Sequence, residues 1–131
     1  MKFLDTSFLI DIIREYSPAE SLLEQLDKEG PHATSTIVVH EFLVGAYGAK
    51  KPNDEFKIRK KLLRTLIILT FDLKSAEESS KIESDLRKQG KYIGGADILI
   101  AGTMKANRIF HIVTRNVKHF KEISGIITEE Y

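Results

Sequence analysis

Residues 1–13 read Met1-Lys2-Phe3-Leu4-Asp5-Thr6-Ser7-Phe8-Leu9-Ile10-Asp11-Ile12-Ile13, and their order decides the fold. The short apolar run from Met1 to Leu4 reads as a strand. It ends at Asp5-Thr6-Ser7, whose side-chain oxygens can accept from the open N–H groups of a helix start. Phe8, Leu9, Ile12 and Ile13 then recur at helical spacing. A strand passing straight into a capped helix opens a β–α unit, and the rest of the chain repeats the alternation.

Pro18 suits the first turn of a second helix, with Leu22, Leu23 and Leu26 as its apolar stripe and Gly30 as its stop. His32 to Ser35 predict a brief strand, and Thr36 a cap for a helix from Ile37 to about Ala46. The charged stretch Lys50 to Arg64 reads as one or two solvated helices, and apolar, β-branched Leu66 to Phe71 as a buried strand. Ser75 to Gln89 predict a helix stopped by Gly90, and Gly94-Gly95 precede another from Ala96 to Ala106. Ile109 to Val113 form a strand, Val117 to Ile123 a short helix, and Ile126-Ile127 a last small strand. This alternation predicts an α/β/α sandwich around a mostly parallel central sheet. No repeat or linker interrupts it, so residues 1–131 read as a single domain. In such sheets the working site lies at the carboxyl ends of the strands.

Composition excludes more than it selects. With 20 basic and 19 acidic residues the formal charge is +1, so any affinity for nucleic acid must come from local patches. The absence of cysteine removes disulfides, thiolate metal sites and cysteine nucleophiles, and suits a reducing cytoplasm. No apolar run reaches the length of a membrane span, and the first residues lack the pattern of a signal peptide. A soluble cytoplasmic protein with no membrane partner is the expectation.

Three acids sit where charge is costly. Asp5 closes the first strand, Glu41 lies in Ile37-Val38-Val39-His40-Glu41-Phe42-Leu43-Val44, and Asp97 lies in Ala96-Asp97-Ile98-Leu99-Ile100-Ala101. Surface helices segregate charge onto one face, and neither helix offers an obvious polar face. Each acid has an ordinary reading: a helix cap, a snorkelling core residue, a complement to a helix dipole. Together they ask for something positive, because clustered buried carboxylates repel one another and these segments contain no lysine or arginine. A divalent cation is the simplest neutraliser, and oxygen ligands select Mg²⁺, with Mn²⁺ possible. His32, His40, His111 and His119 show no zinc-type spacing, and His40 reads as structural. The chemistry open to such a site is metal-assisted phosphoryl transfer, with one metal or two.

Four segments in order, MKFLDTSFLID, TSTIVVHEFLVGA, GGADILIAGTMKANRI and IVTRNVKHF, resemble the PIN domain, most closely its VapC-type toxins. The resemblance covers essentially the whole chain. It implies that Asp5, Glu41 and Asp97 are the acidic metal ligands, with Thr6, Ser7 and Thr114 supporting them. The family's fourth position, often Asp and sometimes Asn, is matched by Asn116, which adds no charge and makes a second metal less secure. The resemblance further implies an RNA-cleaving phosphodiesterase that leaves a 5′-phosphate, a homodimer, and a cognate antitoxin in the active-site groove.

For RNA, Lys57, Lys60, Lys61 and Arg64 place a basic face on the middle helix, and Arg115 and Lys118 flank Asn116. Tyr47 and Phe56 read as core or dimer contacts. A phosphoacceptor receiver domain would want an acidic pair where Asp5-Thr6 stands, and an aspartyl phosphatase a second Asp where Ser7 stands. A PIN nuclease of RNA processing without an antitoxin, and a module that only binds RNA or a partner, remain alternatives.

Overall fold

The computed structural model describes Met1–Tyr131. Strand β1 (Phe3–Leu4) runs into helix α1 (Thr6–Ile13), followed by α2 (Ser17–Glu29), β2 (Ala33–Ser35), α3 (Thr36–Tyr47) and α4 (Pro52–Leu63). Then come β3 (Ile67–Leu69), α5 (Leu73–Lys88), α6 (Gly95–Ala106), β4 (His111–Val113), α7 (Val117–Lys121) and β5 (Ile127–Glu129). The strands form one five-stranded sheet in the order β3-β2-β1-β4-β5, and every pairing is parallel. The expected α/β architecture is therefore present, with a wholly rather than mostly parallel sheet.

The strand order positions the site. From β1 the chain builds outward to β2 and β3, then returns to the other side of β1 for β4 and β5. The order reverses between β1 and β4, and loops leaving neighbouring strands in opposite directions open a crevice at their carboxyl ends. Asp5 follows β1 and Thr114 follows β4, so both stand at that crevice.

Strand and helix residues share one apolar cluster. Phe3, Leu4, Ala33, Ile112 and Val113 from the sheet meet Phe8, Phe42, Ile100, Met104 and Phe120 from the helices. Two glycines let helices approach closely. A Cβ on Gly102 would lie 2.5 Å from Ser79 Cβ and 2.8 Å from the Ser75 carbonyl, so α6 can seat against α5 only because position 102 is bare. A Cβ on Gly45 would lie 2.7 Å from Arg59 Nη1. Arg59 uses that space to donate from Nη1 to the Phe42 carbonyl (2.6 Å) and from Nε to Glu55 (3.0 Å), tying α4 to α3.

Several expectations are corrected. The middle helix is not solvated throughout, because Arg59 and Leu63 are buried against α3. Strand β3 is not buried: Ile67 is 40% and Ile68 37% exposed, since it is an outer strand paired only with β2. Ser35 rather than Thr36 caps α3, its Oγ accepting from Val38 N (3.3 Å). Helix α3 does have an open side, with Val44 57% and Tyr47 69% exposed, so apolar character alone overstated its burial. His40, read as structural, lies on that exposed side. Helix α5 starts earlier than expected, because Asp72 accepts from Ser75 N and Oγ, bonds that hold its carboxyl below the usual range.

Candidate active site

Asp5 is placed by three elements at once. Its N–H donates to the Val113 carbonyl of β4 (3.1 Å), which carries the sheet one residue past β1. As N-cap of α1 its Oδ1 accepts from Thr6 N (2.8 Å), and its Oδ2 accepts from Thr114 Oγ1 (2.6 Å). The residue is 5% exposed. Burial pushes its carboxyl up to about 6, and the charges of Asp97 and Glu41 push the same way. The hydrogen bonds from Thr114 and Thr6 oppose them without prevailing. All its hydrogen-bond partners are neutral.

Glu41 lies on α3, partly buried, and its Oε1 accepts from Thr6 Oγ1 (2.9 Å). The hydroxyl and the N–H of Thr6 thus serve two different carboxylates. Asp97 sits in the first turn of α6 with its side chain 14% exposed. Its Oδ2 is 2.6 Å from Asn116 Nδ2 and 2.6 Å from His119 Nδ1. Asn116, the N-cap of α7, is anchored in turn through its N–H to Thr114 Oγ1 (2.9 Å). Ser7 Oγ accepts from Arg115 N (2.9 Å) and lies 3.4 Å from Thr114 Oγ1. Thr6, Ser7 and Thr114 therefore form a hydroxyl scaffold that links Asp5, Glu41 and Asn116.

Asp5 faces two further acids with no lysine or arginine bonded to any of the three. No three acidic or imidazole side chains converge closely enough to enclose an ion by themselves. The carboxylate oxygens of Asp5, Glu41 and Asp97 nevertheless fit a small hard cation, which takes one or two carboxylates and completes its shell with water and substrate phosphate.

Two features escaped the sequence reading. One is His119, three residues beyond Asn116 on the same short helix. The other is Asp11, only 2% exposed, which accepts from the Arg115 guanidinium and from the Tyr131 hydroxyl. Asp11 sits in the same apolar opening segment as Asp5 and carried the same signal of a misplaced acid. Its hydrogen bond and charge raise Arg115 above its usual range, while burial and Asp11 together raise Tyr131. The Arg115 guanidinium also lies 5.9 Å from the Tyr16 ring centre, and Phe8 packs edge-on against Tyr131 at 5.0 Å. Arg115 is therefore bound to α1, though 57% of its side chain stays exposed. Lys118, Lys57, Lys60, Lys61 and Arg64 are all exposed. Tyr47 packs on Phe56 at 5.7 Å, at the surface rather than in the core.

Residues 2–126 match the family model of the PIN domain. The chain is 30% identical over 128 residues to Ribonuclease VapC2 of Haemophilus influenzae, covering 98% of this chain and 96% of that protein. It is 28% identical over 133 residues to the tRNA(fMet)-specific endonuclease VapC of Shigella flexneri, covering 100% and 98%. Among solved structures it superposes on VapBC2 from Rickettsia felis bound to a promoter DNA fragment, with a TM-score of 0.89 and 29% identity over 99% of this chain and 98% of that one. No helix is long and apolar enough to cross a membrane.

Proposed function

The chain belongs to the PIN domain family, and from that premise we propose that it is a divalent-metal-dependent endoribonuclease, the toxin of a toxin–antitoxin pair. The observation that carries this reading is Asp5: a carboxylate 5% exposed at the β1–β4 crevice, facing Asp97 and Glu41 without a basic partner. A chain that gathers such acids and bonds no lysine or arginine to any of them is built for a cation from outside.

Asp5, Asp97 and Glu41 would hold Mg²⁺, or Mn²⁺. A bound divalent ion supplies a more acidic water and neutralises charge that develops on the phosphate. The chain supplies the rest. Thr6 Oγ1 occupies Glu41 Oε1 and leaves Oε2 able to accept a proton from an attacking water. Thr114 fixes Asp5 Oδ2, so that carboxylate need not reorganise on binding. Lys118 and the exposed part of Arg115, neighbours of Asn116 in the chain, would meet the RNA backbone, and the exposed Lys57, Lys60, Lys61 and Arg64 of α4 offer a second basic face. Attack of water on phosphorus with the 3′-oxygen as leaving group breaks the P–O3′ bond and gives a 5′-phosphate and a 3′-hydroxyl.

The similarity to VapC ribonucleases and to the Rickettsia felis VapBC2 structure supports a protein antitoxin as partner. The uncovered Val44 and Tyr47 of α3 support a second copy of the chain as another. The test is cleavage of a mixed single-stranded RNA, and of total tRNA, with Mg²⁺ or Mn²⁺, with EDTA, and by Asp5→Asn. Cleavage that needs metal and is lost in the folded variant is the expected result. Undiminished cleavage in EDTA, or by Asp5→Asn, would overturn the reading.

A further inference from the structure

The proposed cleavage makes no use of His119. Its imidazole stands on α7 one turn after Asn116, with 41% of the side chain exposed. Its Nδ1 lies 2.6 Å from Asp97 Oδ2 and 2.9 Å from Asn116 Nδ2, and that amide nitrogen is itself 2.6 Å from the same Oδ2. Three polar atoms from two helices thus form a closed triangle.

Hydrogen bonding cannot satisfy all three edges at once. If Nδ1 carries its proton, it and the amide N–H both donate to Oδ2, and two donors are left facing each other. If Nδ1 is bare, the amide can donate to both neighbours, but Nδ1 and Oδ2 then meet as two acceptors at 2.6 Å. A cation removes the conflict. With Nδ1 bare and the Asn116 amide turned so that its oxygen takes the corner, the triangle becomes three lone-pair donors. Adjacent donors around a six-coordinate ion with bonds of about 2.1 Å lie about 3.0 Å apart. Edges of 2.6 to 2.9 Å match one face of such a shell, slightly drawn in.

Resting on the reading that Asp97 holds a divalent ion, we propose that His119 Nδ1 is a direct ligand of that ion and tilts the site toward first-row transition ions over Mg²⁺. An imidazole nitrogen is a softer donor than a carboxylate oxygen and suits ions later in the series, whereas Mg²⁺ keeps to oxygen. Asn116 acts in the same direction, because an amide oxygen adds no charge to attract a hard ion. The remaining histidines lie apart from the triangle. His32 is buried between the Lys2 N–H and the Leu26 carbonyl, and His40 and His111 are exposed elsewhere.

The experiment uses the whole chain and Mn²⁺ alone. Electron spin-echo spectroscopy of the bound ion reads nitrogen in its first shell, and competition by Mg²⁺ gives the ratio of affinities. The expected result is a nitrogen signal in the parent protein that His119→Gln and His119→Asp both abolish while Mn²⁺ stays bound. His119→Asp, which restores an oxygen donor, is expected to narrow the preference for Mn²⁺ over Mg²⁺ by about tenfold. Mn²⁺ bound without a nitrogen signal, or a signal that survives in His119→Gln, overturns this inference and leaves the nuclease reading standing. No Mn²⁺ bound by the folded parent protein overturns both.

Discussion

Replacing Asp5 by Asn should stabilise the metal-free protein at neutral pH while removing its activity. Burial, with Asp97 and Glu41, raises the Asp5 carboxyl from 3.8 to about 6. The folded state therefore binds this proton more tightly than the unfolded chain does. Its contribution to stability is complete below about pH 4 and is lost as pH rises through about 6. A shift of about two units corresponds to about 3 kcal/mol at most. Asparagine has the same shape and no charge. Its oxygen still accepts from Thr6 N, and its amide can donate to Thr114 Oγ1 once that hydroxyl turns, at a cost of about 1 kcal/mol. The net expectation is a gain of about 1–3 kcal/mol near pH 7.5, or several degrees in Tm, with little difference near pH 4. Urea denaturation of both proteins across this range, in EDTA, reads it directly. Adding Mg²⁺ should then stabilise the parent more than the variant, because only the parent retains the Asp5 charge. Parallel stability curves from about pH 4 to about pH 7.5 would refute the reasoning.

Thr114→Val removes the donor to Asp5 Oδ2 and the acceptor of Asn116 N, so a loss of about 1–3 kcal/mol is expected, together with weaker metal binding by calorimetry. Gly102→Ala forces α6 away from Ser75 and Ser79, and should cost about 1–3 kcal/mol in urea titrations. Arg115→Ala leaves the buried Asp11 carboxylate with Tyr131 as its remaining partner; because Arg115 is more than half exposed, a loss of about 1–2 kcal/mol is expected, and Asp11→Asn in the same background should recover part of it.

Much of the fold was legible because the relevant signals are local. Asp5-Thr6-Ser7 offers the side-chain oxygens a helix start prefers, and Gly30 and Gly90 each stand where a helix ends in the structure. A mostly parallel sheet followed from strands separated by helices, which leaves a chain few other ways to bury both faces. What failed depended on neighbours distant in sequence. Ile67 and Ile68 look buried until β3 proves to be an outer strand, and nothing in Lys57 to Arg64 announces that Arg59 alone turns inward to the Phe42 carbonyl. The three carboxylates were readable as acids without a polar face, a test that Asp11 also met without being counted. Its partners, Arg115 and Tyr131, lie 104 and 120 residues away, and only the folded chain shows that this acid is matched by a cation while Asp5 is not. His119 has no zinc-type spacing to announce it, because its partners are one amide and one carboxylate, Asn116 and Asp97.

Under the proposed function, Asp5, Glu41 and Asp97 act as one divalent-metal centre that cleaves RNA. The most direct test is the cleavage rate of Glu41→Gln and Asp97→Asn beside the parent protein, at saturating metal and with folding checked in the same samples. Both variants should fold and lose at least about a hundredfold in rate, since each removes a ligand charge or a proton acceptor from the same step. A folded variant of either kind that cleaves at the parent rate would contradict the account.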